Sequence, residues 1–349
     1  MTWDFLVVGG GIGGVSAAAG LAAHGSVLLV ETERDLARHT TGRSAAVYLP
    51  SYGGPVVRAL TAASRPGFDA RSADSPLLTP RPTLWLAATD DAVAKMPPAP
   101  RVSVAEALAR CPALRPEAVR AAAVEDDTQD IDVMGLHQSY VRELRQRGGQ
   151  TRVSAPLTAL SRDGGGWTAA FGDDRVTAGF VVNAAGAWAD DVAALAGVPP
   201  LGLRPLRRTI AIAPAAVDPA WPLVAEVAES FYFRPEGRSL LLSPADETPS
   251  APADARPDPL DIALALERVN AATTLGLRSV SHSWAGLRTF TPDRSPVVGG
   301  LPGHPGFAHI AGQGGYGIQM APALADALVA SVVGGPSPVD LELVSPGRF

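Results

Sequence analysis

The chain has 349 residues, 46% of them hydrophobic and 18% charged, which is the balance of an ordinary soluble globular protein and excludes a disordered one. It is longer than one hydrophobic core usually organises, so two interleaved domains are expected. A net charge of −6 and a pI near 5.5 argue against nucleic acid or an anionic membrane as partner, and no apolar window is long enough to cross a bilayer.

Asp4–Val8 is a short apolar run that stops at Gly9 and predicts a buried strand. No basic region precedes it, so the N-terminus does not read as a signal peptide and a cytoplasmic enzyme is expected. Ile12–His24 is Ala-rich and predicts a helix, and Val27–Val30 predicts a second buried strand ending at Glu31. Strand, glycine turn, helix and strand in this order make a βαβ unit. Gly135–Arg147 carries Leu136, Tyr140, Val141 and Leu144 on one helical stripe, and Thr151–Ser154 follows as a strand. Glycine clusters at 164–166 and 172–174 then punctuate short strands that end in Phe180–Val182.

Between residues 77 and 132, and again between 201 and 283, the βαβ character gives way to Pro-rich loops and isolated strands, such as Thr209–Ile212, Ser230–Phe233 and Ser239–Leu242. The expected organisation is a dinucleotide-binding domain from 1–76, 133–200 and 284–349, with a second domain from 77–132 and 201–283 inserted into it. Ala245–Pro259 reads as an exposed loop before a helix over Leu260–Thr273. Cys111 is the one cysteine, which excludes an internal disulfide and a cysteine metal cluster; no metal site is expected.

Gly9-Gly10-Gly11-Ile12-Gly13-Gly14 satisfies Gly-x-Gly-x-x-Gly, follows a strand, opens a helix and has Glu31 at the end of the next strand. Gly9 makes the tight turn, Gly11 lets the backbone approach a pyrophosphate, and Gly14 lets helix and strand pack closely. The free N–H groups and positive end of the helix favour phosphate. Glu31 accepts from ribose hydroxyls and would repel a 2′-phosphate, which disfavours NADP. This unit alone leaves NAD and FAD open.

Three further blocks decide. They are His39-Thr40-Thr41-Gly42-Arg43-Ser44-Ala45-Ala46; Asn183-Ala184-Ala185-Gly186-Ala187-Trp188; and a C-terminal succession of Trp284–Arg288, Thr291–Pro296 and Gly312–Gln319. In this order they resemble the D-amino-acid oxidase and glycine oxidase family over nearly the whole chain. Within it, these blocks together with Ala59–Ser64 and Glu229–Tyr232 are most similar to the D-arginine dehydrogenases. The resemblance implies a Rossmann-like α/β domain carrying FAD, and an interleaved α+β domain whose mixed sheet covers the flavin. It assigns FAD contacts to Gly9, Gly11, Ile12, Gly14, Glu31, Thr41, Arg43, Ser44 and Ala45, to Ala185, Gly186 and Trp188, and to Gly286, Gly314, Gly315, Tyr316, Gly317 and Ile318. The helix from Met320 onward would turn its positive end to the flavin.

The implied activity is oxidation of the amine of an α-amino acid, which needs an anchored carboxylate, an oriented α-C–H and a neutral amine. By resemblance Arg288 anchors the carboxylate through two parallel hydrogen bonds, Arg208 stands near it, Tyr52 and Tyr232 close over the substrate, and Gln319 lies near the flavin edge. Arg207 and Arg208 are adjacent on a strand, so only one can face the site. Where the D-arginine enzymes carry a carboxylate this chain has Thr83, and where they carry a pocket histidine it has Val47; Leu49 and Trp85 occupy the same segments. A guanidinium without a counter-charge is costly to bury, so the substrate is expected to be an apolar D-amino acid, glycine, or a glycine N-substituted with an apolar group, rather than D-arginine. The last would suit a biosynthetic step that removes a carboxymethyl group from a secondary amine. Glu226 and Glu229 are the acidic residues that could reverse this preference.

Some sarcosine-oxidising relatives attach FAD through a cysteine in the C-terminal arm; Cys111 and the lone lysine, Lys95, lie outside it, so FAD is expected to be non-covalent. Oxygen or another carrier would accept the electrons. Two alternatives stand beside this reading: a 2-hydroxy acid dehydrogenase, which usually wants a histidine base, and a flavin-binding protein without turnover. His39, within the first motif block, and His309, just before Gly312, are the histidines at the motif blocks.

Overall fold

The computed structural model describes residues 2–73 and 75–349. The opening apolar run forms strand Thr2–Val8, whose last four residues are buried because neighbours cover both faces. Val27–Val30 and Asp174–Asn183 flank it, both parallel to it. Helix Ile12–Leu21 makes the crossover. It is apolar on nearly every side, as a helix buried all round must be, and packs against helices Val133–Gln146 and Ala321–Val333. With Gln150–Arg152, Ala159–Asp163, Gly166–Phe171, Val297–Gly299 and Phe307–Ala311, these strands make an eight-stranded sheet among the described residues.

The second sheet has ten strands among the described residues. Its central order runs His282–Phe290, Arg204–Pro214, Ser239–Ser243, Tyr232–Glu236, Leu223–Glu226, Thr83–Ala87 and Ala121–Glu125. Period-two alternation divides its residues. Leu84, Leu86, Val124, Val224, Phe233, Leu240 and Leu242 face one side, where Ala265 and Val269 of helix Pro259–Ala272 complete a core. Trp85, Ala225, Tyr232, Arg234, Arg208 and Arg288 turn to the other side and line a cavity.

The expected domain edges do not coincide with sheet boundaries. Residue 284 falls inside strand His282–Phe290, whose nine residues pair with Arg204–Ile212 of the second sheet. Val47–Tyr48, Leu78–Pro80 and Gln129–Ile131 form a small sheet of their own that takes strands from both sides of the expected 76/77 edge. Helix Pro55–Arg71 lacks a clean sequence signal because Pro66 and Gly67 interrupt it; Gly67 lies against Pro322 of the last helix, where a side chain would not fit. Ala245–Pro259 is less a free loop than a strap. Asp246 accepts from Thr209 N–H at 2.7 Å at one end, and Asp254 pairs with Arg43 at the other.

Candidate active site

A cavity of about 560 Å³ runs between the two sheets. At one end lies the glycine turn. Gly9 adopts φ +112°, and a Cβ there would stand 2.5 Å from the carbonyl oxygen of Ala184, so both conformation and space demand glycine. A Cβ on Gly14 would overlap the Gly9 carbonyl; Gly14 serves the packing of helix on turn and does not line the cavity. At Gly11 the one neighbour within reach is Thr41 Oγ1, at 3.3 Å, which leaves an open cradle. No side chain caps the helix at Gly11 and its first turn holds no acidic residue, although Thr41 Oγ1 accepts from Ile12 N–H at 3.0 Å. Glu31 is held by the N–H groups of Gly10 (2.7 Å) and Glu33 (2.9 Å) and stands at the cavity wall. An uncapped helix end, an open backbone cradle and a fixed carboxylate fit the pyrophosphate and ribose of a dinucleotide.

Thr41, Ser44 and Ala45 line the next stretch, with Ala185, Gly186 and Trp188 opposite. The Trp188 ring lies tilted against that of His39, with centroids 4.8 Å apart. Arg43 also lines the cavity, but its guanidinium donates to the carbonyls of Ala255 and Ala285 and pairs with Asp254, so its visible work is to hold the strap. From the C-terminal arm Gly286, Gly314, Gly315, Gly317, Ile318 and Gln319 reach the wall. Tyr316 does not. It stands behind Tyr52, with ring centroids 5.1 Å apart, and burial pushes its phenol up to about 12.

At the far end Arg288 and Arg208 converge. Arg288 is opposite Leu206 across the strand pair and Arg208 is opposite Gly286, so the two arginines share one face as diagonal neighbours. Arg207 turns away and pairs with Asp261 at 2.8 Å, as alternation requires. Arg288 is 8% exposed, donating from Nη2 to Tyr52 Oη and from Nη1 to Glu247 Oε1, each at 3.3 Å. Burial opposes its charge, but Tyr52, Tyr316 and Tyr232 outweigh that and hold its pKa above the ordinary value. A Cβ on Gly315 would overlap this guanidinium, so the arm needs glycine where the arginine passes. Arg208 Nε donates to the Asp246 carbonyl at 2.7 Å, while its buried Nη2 makes no hydrogen bond and has Glu247 3.5 Å away. Gln319 is 4% exposed; its Oε1 accepts from Leu49 N–H at 3.0 Å, and its buried Nε2 has no hydrogen-bond partner among the described residues. Both residues line the cavity, and each keeps a donor that makes no hydrogen bond among the described residues.

Tyr52, Tyr232, Val47, Leu49 and Trp85 also line this end. Thr83 does not, and the expectation for it is corrected. It is fully buried at the start of its strand, with Oγ1 2.9 Å from Thr128 Oγ1. Four groups were not singled out from the sequence. Arg234 lies two residues beyond Tyr232 on the same strand face, a place that alternation alone could have given. Glu247 pairs with Arg208, Arg288 and Arg294. His137 is fully buried and its Nε2 holds the Gly10 carbonyl at 3.0 Å. Glu125 accepts hydrogen bonds from Ser51 and Trp85, in two cavity-wall segments, and nothing local in the sequence marks these last three. Among the described residues His39 is the one histidine on the wall, at the nucleotide end beside Glu33. His309 is buried outside the cavity, and burial lowers it to about 4.

Residues 4–331 match the family described as DAO, FAD dependent oxidoreductase. L-proline dehydrogenase from P. horikoshii superposes with a TM-score of 0.88 at 19% identity, over 99% of this chain and 97% of that one. Glycine oxidase from Geobacillus kaustophilus gives 0.85 at 19% identity, over 100% and 99%. A bifunctional tRNA 5-methylaminomethyl-2-thiouridine biosynthesis protein from Caulobacter sp. (strain K31) is 44% identical over 69 residues, 19% of this chain and 12% of that protein's length. No helix among the described residues is long and apolar enough to cross a membrane. The chain thus belongs to the DAO family of FAD-dependent oxidoreductases.

Proposed function

We propose that the protein oxidises the amine of an α-amino acid, with preference for an apolar D-amino acid or a glycine bearing an apolar N-substituent. The observation that carries this is that Arg288 and Arg208 share one sheet face at the end of the cavity away from the dinucleotide cradle, with Arg208 Nη2 making no hydrogen bond among the described residues. Two guanidiniums on one sheet face suit a carboxylate and fix its plane. Tyr52 and Tyr232 stand beside them, and Val47, Leu49 and Trp85 give the remaining wall its apolar character. The superposing proteins named for glycine and for L-proline, a primary and a secondary amine, agree with either kind of substrate.

FAD, when bound, supplies the hydride acceptor. The chain's own residues do the rest: Arg288 and Arg208 hold the carboxylate, so that the α-carbon is presented in one orientation. Tyr52 and Trp85 exclude water from it. The amine needs no protein nucleophile; once neutral it becomes an imine, which water opens to a 2-oxo acid and ammonia, or to glyoxylate and a primary amine from an N-substituted glycine. Oxidation of a 2-hydroxy acid is less well served, because no histidine on the described wall reaches the arginine end. Cys111 lies in the core behind the second sheet, which supports non-covalent FAD.

Cationic side chains meet a mixed wall. Glu226 and Glu229 line the cavity, but Glu226 Oε2 is already held by Ala228 N–H (2.8 Å) and Ser230 Oγ (2.9 Å); Arg234 lines it too, paired with Asp130 at 2.7 Å and Glu236 at 3.1 Å. Product analysis after incubation with D-valine, N-isopropylglycine and D-arginine tests the reading. Oxo acid or glyoxylate from the first two, in excess over product from D-arginine, supports it; product from D-arginine alone overturns it.

A further inference from the structure

Glu125 lies outside the cavity wall, yet two of the residues that shape the wall hang from it. On the sheet, Trp85 pairs across strands with Ala123, and Thr83 pairs with Glu125. Glu125 is therefore the diagonal neighbour of Trp85 on the same face, within reach of a long side chain. Its Oε1 accepts from Trp85 Nε1 at 2.6 Å. The same oxygen accepts from Ser51 Oγ at 2.5 Å. Ser51 belongs to the turn 49–52, closed by Tyr52 N–H on the Leu49 carbonyl at 3.1 Å, and this turn carries Tyr52 over Arg288. Leu49, Trp85 and Tyr52 pack together, with the Tyr52 and Trp85 rings 6.4 Å apart.

We propose that Glu125 is a positioning residue that sets the shape of the apolar end of the substrate pocket. One carboxylate oxygen fixes the indole on the sheet and the turn above it relative to each other, so the gap between Trp85 and Tyr52 has one width. Charge-assisted bonds to a carboxylate are the strong class of hydrogen bond, and both donors here share one acceptor, so losing either bond unties the turn from the indole. The arginine anchor keeps its main supports when this arrangement is released: Glu247 and the Asp246 carbonyl hold it from the strap, and Tyr52 Oη, 3.3 Å from Arg288 Nη2, is its hydrogen-bonded link to the turn. Glu125 thereby governs chiefly which substituent fits, and touches carboxylate capture only through the contact of Tyr52 with Arg288. The proposal rests on the reading of Arg288 and Arg208 as the carboxylate anchor.

The test uses the FAD-loaded enzyme and two probe carboxylates, acetate and isovalerate, whose binding is titrated through the flavin absorbance. Both use the anchor; only isovalerate reads the apolar end. In the unaltered enzyme isovalerate should bind more tightly than acetate. Glu125→Ala should lower that preference about tenfold while the acetate Kd stays within twofold. Glu125→Gln, whose amide oxygen can accept both bonds, should restore it. Ser51→Ala removes one donor and should lower the preference about threefold, which keeps the proposal testable if Glu125→Ala does not fold. A preference unchanged in Ser51→Ala or Glu125→Ala overturns the proposal, as does a parallel loss of both carboxylates, which is what a merely structural role predicts. If neither carboxylate perturbs the unaltered enzyme, the anchor reading fails and takes the proposal with it.

Discussion

Replacing Arg288 with lysine keeps the charge and removes the fork. In the fold the two terminal nitrogens of Arg288 point to different partners, Nη1 to Glu247 and Nη2 to Tyr52, and the group is 8% exposed. A lysine ammonium presents a single point of charge on a shorter stem, so it can keep one of these directions and cannot offer two parallel bonds to a carboxylate. A hydrogen bond to a charged group contributes about 1.5–3 kcal/mol, and losing one of a pair also frees the substrate to rotate about the other. The combined loss of transition-state stabilisation is therefore roughly 2–4 kcal/mol, or about 30- to 1000-fold in kcat/KM. The dinucleotide end of the cavity is untouched, so FAD content should equal that of the unaltered protein. Anaerobic stopped-flow measurement of flavin reduction against substrate concentration gives the number. A variant within about threefold of the unaltered enzyme would remove Arg288 from the substrate site.

Other expectations follow from single groups. Gly11→Val should lose FAD during purification, because the branched side chain enters the open cradle; flavin-to-protein absorbance reads it, and normal retention would place the dinucleotide elsewhere. His309 is held by burial at about 4 against an ordinary 6.5, with Asp190 opposing weakly, so the unfolded chain binds its proton first as pH falls. Its contribution is complete above about 6.5 and is lost on the way down through 4, roughly 2 kcal/mol by pH 5; urea midpoints at pH 7 and pH 5 should show that drop, and less of it in His309→Gln. Cys111 is buried and burial pushes its thiol up to about 12, so native protein should resist iodoacetamide while urea-unfolded protein is labelled and releases intact FAD. Thr83→Glu should destabilise the fold without restoring reaction with D-arginine, since the new carboxylate would meet Thr128 and not the cavity; a gain in D-arginine turnover would show that the side chain reaches the substrate.

What the sequence showed of this fold was whatever is written locally. The βαβ unit is legible because strand Thr2–Val8, the turn at Gly9 and helix Ile12–Leu21 are consecutive and each obeys its own period. Arg208 against Arg207 is legible for the same reason: alternation alone separates them. Thr83 shows the limit. It shares a sheet face with Trp85, but whether a residue on that face meets the cavity depends on what lies over it, here Thr128 from a segment forty-five positions away. Glu125 and Glu247 act through partners 40 and 41 positions distant, fixed by strand register and by the strap, so no spacing in the chain announces them. The proline-rich stretch after Ala245 hid its role because its ionic contacts are carried by Asp246, Glu247, Asp254 and Asp258, which follow no periodic pattern.

The central claim, that the cavity oxidises an amine held by a carboxylate anchor, is met most directly by a matched pair of reductants. D-valine and D-2-hydroxyisovalerate share carboxylate, chirality and side chain, and differ in the amine against the hydroxyl. Mixed anaerobically with the FAD-loaded protein at a pH where part of the amine is neutral, D-valine should bleach the flavin at least about a hundredfold faster, or N-isopropylglycine should do so if the pocket prefers the N-substituted form. Bleaching by the hydroxy acid with neither amine reacting would contradict the account.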